Sequence, residues 1–128
     1  MSSSPQGLGR STPAHIAFAL VAMGGWALFA NRSHGMSGAA GPALAQGVMS
    51  GLITLALKRT LEALAGRFNG GLAYVVPPAI TAMTVLAVLA GVHALIGTPE
   101  IAATIAVPWT VSTLYAFGYT ATLVKGSS

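Results

Sequence analysis

Apolar residues fill four long segments of this chain, and polar residues mark the breaks between them. Charged side chains occur only near the chain ends and at these breaks, so four intervals carry no Lys, Arg, Asp or Glu: residues 11–31, 33–57, 68–98 and 101–124. Each interval holds the roughly 20 mostly apolar residues that an α-helix needs to cross a ~30 Å hydrocarbon layer. The pattern predicts an all-α polytopic membrane protein, with four transmembrane helices in an antiparallel bundle joined by short loops.

The same pattern divides the chain into one domain and two tails. We expect a disordered N-terminal tail over residues 1–13, which are rich in Ser, Gly and Pro, a single transmembrane domain over 14–124 and a C-terminal tail over 125–128. Glycine-rich breaks set off the spans, and residues 31–42 are predicted to form a loop because Gly, Ser and Asn dominate them. The predicted spans are residues 14–30, 43–57, 72–96 and 101–124.

The second span is predicted to continue as an amphipathic helix over residues 58–68. Apolar residues recur there at helical spacing, at Leu57, Leu61, Leu64 and Phe68, while the charged residues fall elsewhere around the helix. Such a segment would lie along lipid head groups or contact a partner protein. The head-group or partner contacts are then expected from Lys58, Arg59 and Arg67.

Composition supports a lipid-facing surface and excludes several other classes. The chain is 54% hydrophobic and only 6% charged, whereas a soluble domain is usually about 25% charged. Its six cations form no basic cluster, which argues against a nucleic-acid partner. Cys is absent and the three His show no metal-ligand spacing, so we expect no metal and no cofactor.

The distribution of cations predicts the orientation in the membrane. With four spans, Arg10, Lys58, Arg59, Arg67 and Lys125 fall on one side, and Arg32 is alone on the other. Loop cations favour the cytoplasmic side. We therefore expect an integral protein of a cytoplasmic or inner membrane, with both termini in the cytoplasm.

An enzyme is not expected. The chain has no Asp, and its two acids, Glu62 and Glu100, fall in loops on opposite sides of the predicted bundle. Neither a carboxylate pair nor a nucleophile motif is present.

Polar residues within the spans are candidates for a substrate path. A stripe at helical spacing follows the fourth span through Thr104, Pro108, Ser112, Tyr115, Tyr119 and Thr122, and a narrow polar face lies on the second span. His93 is the one ionisable residue well inside a span, near its outer end, where a partly hydrated position is expected. The same residues would also serve to join helices through hydrogen bonds. The path candidates are Gln46, Ser50, Thr54, His93, Ser112, Tyr115 and Tyr119.

Small residues and prolines suggest where helices pack and bend. Gly47 and Gly51 form a GxxxG motif, which permits close approach of two helices within or between chains. Pro77, Pro78 and Pro108 lie inside spans, where each removes a backbone hydrogen bond and is expected to kink the helix.

These features favour a small transporter, flippase or channel component for a neutral or head-group-bearing substrate. One bundle of this size is thin for enclosing a path, so a homo-oligomer in contact with membrane lipid is expected. The alternative is a structural or accessory subunit of a larger membrane complex, and a third candidate is a holin-like pore former.

Overall fold

The computed structural model describes the backbone of residues 3–127 and the side chains of residues 13–126, and these residues form an all-helical bundle. Each of its four helices contains a segment long and apolar enough to cross a membrane. The helices are α1 (Ser3–Ala30), α2 (Gly35–Leu64), α3 (Leu72–Ile96) and α4 (Ile101–Ser127), with a 3-10 turn at Arg32–His34 between the first two.

The helix α1 begins well before the apolar segment. Residues 3–13, predicted as part of a disordered tail, are helical, whereas residues 1 and 2 lie outside the described residues. Pro5 falls in the first turn of α1, where a missing N–H removes no helical hydrogen bond, and this makes the earlier start possible.

The helix α2 begins earlier and ends earlier than the sequence predicts. Residues 35–42 were predicted as loop but form its first two turns, in which Ala39 and Pro42 are buried. Burial against the rest of the bundle outweighs the weak helix propensity of the glycines there. At the other end the predicted extension to residue 68 stops at Leu64, because Gly66 adopts a left-handed φ of 86° that ends the helix.

The helices form two antiparallel hairpins. α1 packs mainly on α2 and α3 mainly on α4, while α2 and α4 also touch across the centre of the bundle. Within residues 3–127, α1 and α3 do not contact each other, so they occupy opposite corners. We call the end with the α1–α2 and α3–α4 connections the turn end, and the opposite end, with the α2–α3 loop, the terminal end.

Close packing fixes α1 against α2. A Cβ added to Gly47 would lie 2.8 Å from the Leu20 carbonyl oxygen, and one added to Gly24 would lie 3.0 Å from that of Ala43. Gly47 therefore has no room for any side chain at this contact. The GxxxG motif of α2 thus serves packing within the chain.

The centre of the bundle is apolar, and so is much of its outside. Leu57, Val85, Leu89 and Ile105 form the buried cluster. Large apolar side chains also cover the exterior, where Leu95 is 88% exposed and Leu44 is 72% exposed. An exterior of this kind is unusual for a protein surrounded by water.

Candidate functional site

A cavity of about 510 Å³ occupies the terminal half of the bundle and is bounded by all four helices. Its volume lies within the range of small-molecule sites. The lining side chains are His15, Phe18, Ala19 and Met23 of α1; Ser50, Ile53, Thr54, Leu55, Leu57 and Lys58 of α2; Val85 and Leu89 of α3; and Pro108, Val111, Ser112, Tyr115 and Tyr119 of α4.

The cavity opens sideways between α1 and α4. Its exposed lining residues all belong to these two helices, namely His15, Phe18, Val111 and Tyr115. In contrast, the lining residues from α3 are buried and form the floor. The cavity is therefore accessible from the side of the bundle.

Hydrogen bonds hold α1 against α4 at the turn end, beyond the cavity. The Trp26 indole N–H donates to the Ala103 carbonyl oxygen at 2.8 Å, and the Asn31 amide donates to the Thr104 hydroxyl at 2.7 Å. These bonds join α1 to α4 at the turn end. Nearer the terminal end, the two helices flank the cavity.

Charge and aromatic rings meet where the cavity reaches the terminal end. Lys58 Nζ donates to Glu62 Oε2 at 2.8 Å, and the Tyr119 hydroxyl donates to the same carboxylate oxygen. The Tyr119 ring stacks on that of Tyr115, with 5.4 Å between their centroids. This end of the cavity thus combines an ammonium group with two phenols.

Two hydroxyl groups deeper in the cavity, those of Thr54 and Ser112, are already used as donors, and that of Ser50 accepts a hydrogen bond from Gln46. Thr54 Oγ1 donates to the Ser50 carbonyl oxygen at 2.8 Å, and Ser112 Oγ donates to that of Trp109 at 3.1 Å. Such bonds to the preceding turn satisfy the hydroxyl within its own helix. The interior of the cavity therefore presents an apolar surface with a few acceptor oxygens.

The structure brings five of the seven path candidates together. Ser50, Thr54, Ser112, Tyr115 and Tyr119 all line the cavity, and three of them come from the predicted stripe on α4. The remaining two, Gln46 and His93, do not line it.

Gln46 and His93 form a buried network that lies toward the turn end and reaches the cavity at Ser50. His93 Nε2 lies 2.8 Å from Gln46 Oε1, and its Nδ1 lies 2.7 Å from the Thr98 hydroxyl. Gln46 Nε2 donates in turn to Ser50 Oγ at 2.7 Å. The expectation of a partly hydrated His93 is wrong, because the side chain is fully buried and both ring nitrogens have protein partners.

The three prolines predicted to kink helices do not all lie at the cavity, and Gly51 lies at the contact between α1 and α2. Pro108 lines the cavity, whereas Pro77 and Pro78 are buried in α3 away from it. Gly51 packs on Ile16 of α1, with 3.2 Å between an added Cβ and the Ile16 Cγ2 atom.

Only one of the three predicted contact cations belongs to the cavity. Lys58 lines it, while Arg59 and Arg67 are exposed outside it. Leu57 and Leu61, which were expected to face head groups or a partner, are buried in the chain itself. Two of the four residues in the apolar stripe of the predicted amphipathic helix, Leu57 and Leu61, therefore pack within the bundle.

Asn31 is a structural residue that the sequence did not single out. It is fully buried, its amide donates to Ala27 O and Thr104 Oγ1, and its Oδ1 accepts a bond from the Glu100 backbone N–H at 2.9 Å. In the sequence it follows an apolar segment and resembles an ordinary loop residue. Its role depends on residues more than 60 positions away, which no local pattern shows.

Among residues 13–126, no three His, Asp or Glu side chains come together as a metal site would require. Comparison of the chain with protein-family models, with curated proteins and with solved structures finds no match. The cavity and its surroundings are therefore the basis for a functional proposal.

Proposed function

We propose that this chain is an integral membrane protein of a cytoplasmic or inner membrane. The support is the combination of four helices of spanning length with large apolar side chains on the outside of the bundle. The described charged residues lie near its ends: Arg32 and Glu100 at the turn end, and Lys58, Arg59, Glu62, Arg67 and Lys125 at the terminal end. The excess of cations at the terminal end favours the cytoplasm for that end and for both termini.

Within the membrane, the proposed function is to bind an amphipathic, lipid-like molecule and to move it as a carrier or flippase does, without enzymatic chemistry. The observation that carries this proposal is the cavity, which is apolar inside, polar at the terminal end and open sideways between α1 and α4. A lateral opening at this depth faces acyl chains, so a lipid-like substrate can enter without crossing water. Its head group would stay at the level of Lys58 and Tyr119.

A homo-oligomer remains part of the proposal for transport, but the binding site itself needs only one copy. One chain supplies all four walls of the cavity, and Gly47 already packs against α1 of the same chain. The accessory-subunit alternative has less support from the segment 58–68, because Leu57 and Leu61 of its apolar stripe are buried within the chain and do not face a partner.

A cavity-filling substitution tests the proposal. Ala19 lines the cavity and Ala17 is exposed on the same helix outside it, so Ala19→Trp and Ala17→Trp form a matched pair. Purified wild-type protein and both variants would be titrated with monooleoylglycerol in detergent, and bound ligand would be counted by native mass spectrometry.

We expect Ala19→Trp to weaken binding at least about tenfold, as loss of the space for an acyl chain implies, and Ala17→Trp to bind like the wild type. Equal binding by all three proteins would refute the cavity as the binding site.

A further inference from the structure

One permanently charged side chain borders the otherwise apolar cavity, among the lining residues that the structure describes. This is Lys58, whose ammonium group donates a hydrogen bond to Glu62 and also interacts with the Tyr119 hydroxyl. An ammonium group has three N–H donors. At least one donor of Lys58 is therefore left for a ligand in the cavity.

Further donors lie at the same end of the cavity. The Tyr115 hydroxyl and the His15 ring both border it, and neither is hydrogen-bonded to another residue in the range 13–126. Tyr119 differs, because its hydroxyl already donates to Glu62. The Tyr115 phenol and the His15 imidazole can each donate one hydrogen bond to a ligand at this end, in addition to Lys58.

The surrounding charge is positive. Glu62 is the single acid at the terminal end among the described residues, and it is shared by Lys58 and Tyr119. Arg59 and Arg67 add two exposed cations at the same end. The excess of cations at this end would therefore repel a cationic head group and attract an anionic one.

We infer that the ligand of the cavity is an anionic amphiphile, whose acyl chain fills the apolar interior and whose phosphate or other anionic head group accepts hydrogen bonds from Lys58. This inference rests on the proposed function. Hydrogen bonds between an ammonium group and an anionic oxygen are among the strongest in proteins. Lys58 keeps its bond to Glu62 in this arrangement, so no charge is left without a partner when the ligand departs.

The test compares two ligands that differ only in the presence of an anionic phosphate group. Oleoyl lysophosphatidic acid and monooleoylglycerol share the same chain and glycerol, and the first alone carries a phosphate. Both would be titrated into the full chain in detergent, with bound ligand counted by native mass spectrometry. The variants are Lys58→Gln, Lys58→Arg and Arg59→Gln, the last removing a neighbouring cation that does not line the cavity.

We expect Lys58→Gln to weaken lysophosphatidic acid about tenfold, the size of one lost charged hydrogen bond, and to weaken monooleoylglycerol much less, because the glyceride carries no charge. Lys58→Arg retains the charge and is expected to retain most of the binding. Continued binding of the glyceride also shows that the variant is folded. Glu62→Gln removes the opposing charge and is expected to tighten lysophosphatidic acid.

Two results would overturn the inference. One is an equal loss of lysophosphatidic acid in Lys58→Gln and Arg59→Gln, which would show a diffuse effect of surface charge. The other is a Lys58→Gln variant that binds both ligands as the wild type does. Failure of the proposed function is distinguishable, because Ala19→Trp would then bind both ligands like the wild type.

Discussion

Asn31 is the residue that joins the two hairpins at the turn end. Its side chain bonds to the end of α1, to Thr104 on α4 and to the backbone before α4, all in a fully buried position. Replacing it would leave the Glu100 backbone N–H without its partner and would remove one hydrogen bond each from the Ala27 carbonyl and the Thr104 hydroxyl, which keep other partners. The loss of a partner by a buried polar group is costly. Its contribution to stability is therefore large for a single polar residue.

We predict that Asn31→Ala lowers the stability of the bundle by about 1–3 kcal/mol, the cost of unsatisfied buried groups. The measurement is the midpoint of thermal unfolding of the detergent-solubilised protein. Ser33→Ala is the matched control, since Ser33 is exposed in the same turn. Equal midpoints for the two variants would contradict the role given to Asn31.

The buried pair of His93 and Gln46 gives a second prediction at this scale. His93→Leu leaves the Gln46 amide oxygen and the Thr98 hydroxyl unpaired, so we expect a loss of about 1–3 kcal/mol. Adding Gln46→Leu removes one of these unpaired groups and is expected to restore part of the loss, which a double-mutant cycle measures. Strictly additive losses would show that the two side chains are not coupled.

Sequence reasoning found the cavity residues of α4 but not the partners of His93. Ser112, Tyr115 and Tyr119 lie on one face because helical spacing places them there, and this spacing is visible in the sequence. The contact of His93 with Gln46 joins residues 47 positions apart. It depends on how α2 and α3 pack, which the polar pattern of either helix does not determine.

Among the elements, the contact between α1 and α2 depends most on small residues. Gly47 meets a backbone oxygen, which cannot move aside, whereas Gly51 meets the flexible side chain of Ile16. Gly41 lies on the same helix, is exposed and has nothing within 4 Å of an added Cβ. Gly47 and Gly41 are thus both helical, but they differ in the room that their surroundings leave for a side chain.

We predict that Gly47→Ala destabilises the protein by about 1–3 kcal/mol, as overpacking usually does. Gly41→Ala is expected to change the stability by less than about 1 kcal/mol, because the preference of alanine for helix is opposed by the following Pro42, which disfavours a Cβ on a helical residue. Thermal unfolding midpoints of the two variants decide this. If Gly47→Ala were as stable as Gly41→Ala, the close approach of α1 and α2 would be wrong.

The positions of the four helices follow from the apolar segments, but their ends do not. Residues 35–42 contain three glycines and a proline and resemble a loop, yet burial of Ala39 and Pro42 makes them helical. The end of α2 at Leu64 is set by the left-handed turn at Gly66, three residues before the Asn-Gly-Gly sequence that was expected to break the helix. Packing thus outweighs local propensity at the start of this helix, whereas the backbone freedom of a glycine sets its end.

On the scale of the whole molecule, the proposed orientation can be tested with single cysteines, because the native chain has none. Ser33 and Asn69 are exposed at the turn end and the terminal end, respectively. We predict that Ser33→Cys reacts with a membrane-impermeant maleimide in intact cells, and that Asn69→Cys reacts only after the membrane is opened. The reverse pattern of labelling would contradict cytoplasmic termini.

The positions of the charged residues predict which end of the bundle faces the cytoplasm, but they do not predict the cavity. The cavity lies where α1 and α4 flank it, with their hydrogen bonds to each other at the turn end, and α1 and α3 occupy opposite corners. Both facts concern the arrangement of whole helices. They could not be obtained from the spacing of residues within any one of them.

The most direct test of the account is to locate an acyl chain in the membrane-embedded protein. A phospholipid with a photoreactive diazirine at the end of one acyl chain would be reconstituted with the wild type and with Ala19→Trp, and the modified residues would be mapped by mass spectrometry. The account predicts labelling of the cavity residues Met23, Ile53 and Leu89 in the wild type, lost in Ala19→Trp. Labelling confined to outward residues such as Leu44 and Leu95, and equal in both proteins, would contradict it.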